Sequence, residues 1–209
     1  MLAGRVVLVT GGGTGIGSEI SLGLGDLGAA VSTVDGPITS RADAQAAFTA
    51  KGPVDAVVHA LIDPDALVST PFADTEEASW ERRCEAVLGT ALWCCQAAFT
   101  VLVERGGRIV LVTPTVGLTG AAGRAPYATA VEGMRSLAKS AARQWRGHGI
   151  TVNCVAPPVE SMIPGVGRDD SVADVRADVA PVVAMLTADA AHFLTGTTIV
   201  VDGGVVMAP

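Results

Sequence analysis

Apolar residues follow two rhythms along this chain. Short, nearly unbroken runs recur at Arg5–Thr10, Ala30–Val34, Ala56–Ala60, Arg108–Val112, Thr151–Val155 and Thr198–Val201. They are rich in β-branched residues and read as strands. Unbroken apolarity is what a parallel strand covered on both faces requires. Between them lie stretches with helical spacing: Gly15–Leu27, Asp43–Ala50, Thr75–Glu104, Tyr127–His148 and Val172–Thr187. In the long third stretch Cys84, Leu88, Leu92, Cys95, Phe99 and Leu102 recur every three or four residues, and in the fourth Val131, Met134, Ala138, Ala141 and Trp145 share a stripe. This alternation predicts an α/β fold: a doubly wound parallel sheet of Rossmann type in a three-layer α/β/α sandwich, with right-handed crossovers. No internal repeat or linker divides it, so residues 1–209 are expected to form one domain.

Composition narrows the function. The 209 residues are 49% apolar, enough for a substantial core, and the net charge is -7. An acidic chain without Lys/Arg clusters argues against nucleic-acid binding. No uninterrupted apolar run reaches the roughly 18 residues of a membrane span. The start, MLAGRVVLVTGG, reads as a strand rather than a signal peptide. A cytoplasmic protein with no membrane contact is expected. Cys84, Cys94, Cys95 and Cys154 lack metal-ligand spacing and read as small core residues, and no metal site is expected.

The candidate chemistry begins at Thr10-Gly11-Gly12-Gly13-Thr14-Gly15-Ile16-Gly17, which joins the first strand to the first helix. Glycines at 11, 15 and 17 permit a tight turn, close backbone approach to a pyrophosphate and close helix–sheet packing. The helix N-terminus then offers free N–H groups. Thr10, Gly11, Thr14, Gly15, Ile16 and Gly17 are therefore candidate cofactor-binding residues. Asp35 ends the second strand 18 residues after Gly17. Its carboxylate suits ribose hydroxyls and repels a 2′-phosphate, favouring NAD over NADP. The alternative is an ordinary turn residue before Gly36-Pro37.

These residues resemble the short-chain dehydrogenase/reductase family, and the resemblance covers essentially the whole chain. It is carried by TGGGTGIG (10–17), GGRIVLVTPTVGLTGAAGRAPYATA (106–130), ITVNCVAPP (150–158) and LTGTTIVVDGG (194–204). It implies an NAD(P)-dependent oxidoreductase acting on a small molecule, usually a dimer or tetramer built on its two longest helices.

Departures from the family pattern concern the catalytic set. Members usually carry Asn, Ser, Tyr and Lys. Here Tyr127 remains, the lysine position holds Val131, the serine position falls on Pro114, and the asparagine aligns near Val87. Thr115, beside Pro114, is a substitute hydroxyl after a small register shift. The N-N-A-G expected after the next strand reads His59-Ala60-Leu61-Ile62. His59 has two readings: a substitute acid–base group that titrates near neutrality, or a strand-end histidine hydrogen-bonded to backbone. The span from Asp35 to Val54 is too short for the usual helix plus strand, which strips a wall from the adenine pocket unless Ile38 replaces it. The segment from Val159 to Ser171, with Pro164, Gly165 and Gly167, is short for a substrate lid.

A free tyrosine has a pKa near 10, so about one in a thousand is phenolate at pH 7. Without a nearby ammonium Tyr127 is a poor base. The sequence thus reads first as a degenerate member: a pseudoenzyme or structural or regulatory subunit with a weak or vestigial NAD site, homo-oligomeric or paired with an active relative. Tyr127 is then a remnant. The alternative is an active NAD-dependent oxidoreductase of a small carbonyl or alcohol, using Tyr127 with Thr115 or His59.

Overall fold

All six strands form in a computed structural model that describes residues 1–162 and 173–207. β1 (Val6–Thr10) lies between β2 (Ala30–Val34) and β3 (Ala56–His59). β4 (Gly107–Val112), β5 (Ile150–Ala156) and β6 (Thr198–Val200) follow outward. The order is β2-β1-β3-β4-β5-β6, and every pairing is parallel. The chain winds one way from β1 to β2 and then the other way from β3 onward. The loops leaving β1 and β3 therefore part, and a crevice opens at the carboxyl ends of those strands.

Each strand serves two cores because successive side chains point to opposite faces. Val7, Val9, Val58 and Val110 pack beneath α1 (Gly15–Asp26) and α6 (Ala180–Thr187). Leu8, Val57, Ile109 and Leu111 face the opposite layer. That layer holds α2 (Arg41–Thr49), α3 (Glu77–Leu102) and α5 (Ala125–Trp145), with the four-residue α4 (Val116–Thr119) above it. The unbroken apolar runs of the sequence are this two-sided burial.

The passage from β2 to β3 is abbreviated, as its length implies. Helix α2 alone makes the crossover, and β2 forms the sheet edge. Ser40 starts α2 by accepting a hydrogen bond from the Asp43 N–H at 3.1 Å. Ala44 and Phe48 anchor the helix in the core. Helix α3 is long and apolar enough, by length and composition, to cross a bilayer. The expectation of no uninterrupted apolar run of that length meets a stretch, residues 86–103, that carries no charge and is broken only by the polar side chains of Thr90, Gln96 and Thr100. In this fold 44% of its most apolar window is buried, and Ala91, Cys94, Cys95, Ala98 and Leu102 lie in the core. The helix widens into a π turn at Glu85–Gly89, which carries Val87.

Proline in the first turn suits the start of α5, and Gly149, in the left-handed region at φ +69°, closes the 3₁₀ turn that follows it. Phe99 of α3 stacks on Trp145 of α5 with ring centroids 5.0 Å apart. Cys94, Cys95 and Cys154 are buried free thiols, and burial pushes Cys94 up to about 12 and Cys154 up to about 11. Among the described residues no three His, Cys, Asp or Glu side chains are grouped to hold a metal ion. The described start of the expected lid is a 3₁₀ turn at Val159–Met162. Pro164, Gly165 and Gly167 lie outside the described residues, as does Val172. The predicted helix at Val172–Thr187 is seen as a π turn, Val175–Val179, continuing into α6.

Candidate functional site

The glycine loop closes tightly on the end of β1. Gly17 packs against the Gly11 carbonyl so closely that any Cβ there would overlap it. Gly11, at φ +71°, lies against the next loop: a Cβ on it would stand 2.9 Å from Leu61 Cα. Gly15 is the opposite case. It has φ +55°, and a Cβ there would meet nothing within 4 Å. Thr14 caps α1 without a side-chain hydrogen bond. The first N–H groups of α1 therefore have no partner within the helix, at its positive dipole end, and Gly15 among them leaves room beside the chain. Of the predicted binding residues, Gly11, Thr14, Gly15 and Gly17 share this cradle. Ile16 offers only its backbone, because its side chain is 2% exposed in the core beneath α1.

Thr10 lies deeper than the rest of the loop. Its side chain is wholly buried, and its Oγ1 lies 2.9 Å from His59 Nδ1. It ties β1 to β3. His59 is equally enclosed. It is buried, and burial pulls its pKa down to about 4, so it is neutral at physiological pH rather than titrating there. Its partner is the Thr10 side chain, not backbone. Asp35 is more than a turn residue. Its carboxylate accepts from the Gly13 N–H at 2.5 Å and from Thr33 Oγ1 at 2.7 Å. Both bonds hold the acid over the glycine loop, and the side chain remains exposed to take further donors.

Beside this cradle lies a cavity of about 540 Å³. Its walls are the loop after β2, with Ile38, the loop after β3, with Leu61 and Ile62, and one flank of α3, with Trp93. The size falls in the range of small-molecule pockets, roughly 300–1,000 Å³. The shortened β2–α2 passage and Ile62 therefore border this space instead of filling it. Ile38 does form a wall, though most of its side chain is buried in the core behind.

The tyrosine end is built differently. Tyr127 is 2% exposed, and Val131, one turn further along α5, is 1% exposed. Both pack in one apolar cluster with Ala66, Val116, Ala128 and Val159, and Val87 and Leu67 lean against it. Burial pushes the Tyr127 phenol above its ordinary value, and Arg124 opposes this only partly. Arg124 itself donates to the Leu67 carbonyl at 2.9 Å. Thr115 is nearly buried. Its backbone N–H donates to the Pro157 carbonyl at 2.9 Å, and it lines a separate cavity of about 450 Å³ with Thr119, Pro158 and Asp202.

One cation escaped the sequence reading. Arg135, two turns beyond Tyr127 on α5, has a side chain only 2% exposed. Its Nη2 donates to the carbonyls of Thr113 and Pro114 at 2.6 and 2.7 Å, and its Nη1 pairs with Glu132 at 2.7 Å. The guanidinium lies near Val131, close to Gly117, which has no room for a side chain. Its charge is committed to the chain end of β4. The spacing Tyr127, Val131, Arg135, each one turn apart, was the available signal.

This fold, with a glycine turn opening α1 and a tyrosine opening α5, defines a class, and comparison with known proteins agrees. Residues 23–206 match a family described as Enoyl-(Acyl carrier protein) reductase. The chain is 32% identical to the 3-oxoacyl-[acyl-carrier-protein] reductase FabG of Vibrio cholerae, covering 99% of both chains. It is 30% identical to the (3R)-3-hydroxyacyl-CoA dehydrogenase of Rattus norvegicus, covering 99% of this chain and 98% of that one. The chain belongs to the short-chain dehydrogenase/reductase family of oxidoreductases. The first alignment runs over 244 positions against 209 residues here, so the relative carries segments this chain lacks.

Members of this family use nicotinamide dinucleotides, and the two halves of the site fit one unequally. The open space at Gly15 and the free N–H groups of α1 fit a diphosphate, and Asp35 fits a ribose diol. When bound, the nicotinamide ring exchanges a hydride with substrate. At that end Val131 and Val87 have no polar side-chain atom, so no donor stands at the family's lysine or asparagine position.

Proposed function

We propose that this protein is a catalytically silent member of the family that keeps a nucleotide-binding role, acting as a structural or regulatory subunit. The observation that carries this is the cluster at the tyrosine end. Three of the four positions where the family places catalytic side chains, Val87, Tyr127 and Val131, pack together in apolar contact. The fourth, Pro114, has no hydroxyl, and its carbonyl is held by Arg135. A phenol pushed upward by burial is a poor base, and nothing at Val131 lowers it. The subunit is proposed to work in the cytoplasm, as a homo-oligomer or beside an active relative.

The test is turnover. Purified protein with NADH or NADPH and 3-oxoacyl thioesters, the substrate type named for its relatives, is expected to show no oxidation above the uncatalysed rate. Turnover that disappears in Tyr127→Phe would overturn the proposal. It would establish the second reading, an NAD-dependent oxidoreductase of a small carbonyl or alcohol with altered chemistry, which the preserved glycine cradle favours.

A further inference from the structure

The disagreement between the two ends of the crevice bears on which ligand enters it. We propose that the site takes a purine nucleoside diphosphate, with ADP as the simplest form, rather than a nicotinamide dinucleotide. This rests on reading the tyrosine end as silent. A nicotinamide riboside extending from the cradle would bring its ribose hydroxyls to Val131 and its neighbours. Hydroxyls buried there without partners lose roughly 1–3 kcal/mol each. The second half of a dinucleotide therefore adds no affinity, and the first half binds as well alone.

The first half is provided for by contiguous features. Leu61 both presses on Gly11 and lines the 540 Å³ cavity, so the diphosphate cradle and the cavity share a wall. Asp35, which precedes Gly36 on the cavity's wall, is fixed to the glycine loop through the Gly13 N–H. A planar base between Ile38 and the Leu61–Ile62 segment would meet apolar surface on its faces. Asp63 and Glu85 line the same cavity and supply carboxylate acceptors for an exocyclic amine. The negative charge of Asp35 disfavours a 2′-phosphate.

Calorimetric titration of the intact protein with ADP, NADH and 2′-phospho-ADP tests this. ADP and NADH are expected to bind with dissociation constants within about threefold of each other, and 2′-phospho-ADP at least tenfold more weakly. Asp35→Ala, at an exposed position, is expected to weaken ADP by about tenfold while the unfolding midpoint stays near wild type. NADH binding ten times tighter than ADP, without turnover, overturns this inference and leaves the silent reading standing. Absence of ADP binding at millimolar concentration also overturns it. NADH turnover instead overturns the silent reading, and this inference with it.

Discussion

The glycine end and the tyrosine end of this molecule obey opposite rules. At the glycine end side chains are missing where a ligand needs space: Gly15 faces open volume, and the helix begins without a side-chain cap. At the tyrosine end side chains pack against one another. Val87, Val116, Val131 and Val159 surround Tyr127, and the nearby cation Arg135 is turned onto backbone. An open cradle of backbone N–H groups tolerates sequence change, since only glycines and a helix terminus are required. A proton-transfer site requires particular side chains in particular protonation states. On the function proposed above, the first survives here and the second has become core.

Restoring the lysine should have the largest effect. Val131→Lys places an ammonium at a site 1% exposed, beside the buried Arg135. An uncompensated buried charge costs about 3–5 kcal/mol, measurable by urea unfolding, and no NADH turnover should return. Turnover regained at wild-type stability would show that the tyrosine end is open. Next is Arg135→Met, which keeps the stem but leaves the Thr113 and Pro114 carbonyls without their donor. A loss of about 3 kcal/mol is expected, with ADP binding unchanged because the cradle lies on another strand. Weakened ADP binding would couple the two ends.

His59 connects β3 to the base of the glycine loop and gives a pH signature. Its folded pKa, about 4, is below the ordinary 6.5. The unfolded chain therefore takes up the proton first. The contribution is fully present above pH 6.5 and is lost as pH falls toward 4. Between pH 7 and pH 5 the loss is about 2 kcal/mol, and His59→Gln should flatten that part of the stability profile. A wild-type slope retained in the variant would remove His59 as its source. Gly17→Ala should cost about 1–3 kcal/mol by overpacking against Gly11, and should weaken ADP along with stability. Tight ADP binding by that variant would mean the loop is not the diphosphate site.

Every strand and most helix ends were legible in the sequence, because burial on both faces of a parallel sheet writes itself as unbroken apolar runs. The glycine loop was legible for a similar reason: its requirements are local. What was not legible depends on contacts between distant residues. Thr10 meets His59 across 49 residues, and Arg135 meets Thr113 across 22. Helical spacing puts Arg135 two turns beyond Tyr127 but says nothing of the carbonyls at the end of β4. The missing tetrad letters at 87, 114 and 131 were plain in the sequence. That the first and last of these join Tyr127 in one apolar cluster required the fold.

Tyr127 is the one tyrosine in the chain, so tyrosinate absorbance near 295 nm reports on it alone. A spectrophotometric pH titration of the folded protein is the most direct test of the claim that this end is packed shut. Burial predicts no phenolate until well above the ordinary value of 10, with the absorbance appearing as the protein unfolds. A reversible midpoint below 10 in the folded protein, moving toward neutrality, would contradict the account and mark Tyr127 as an activated catalytic acid–base group.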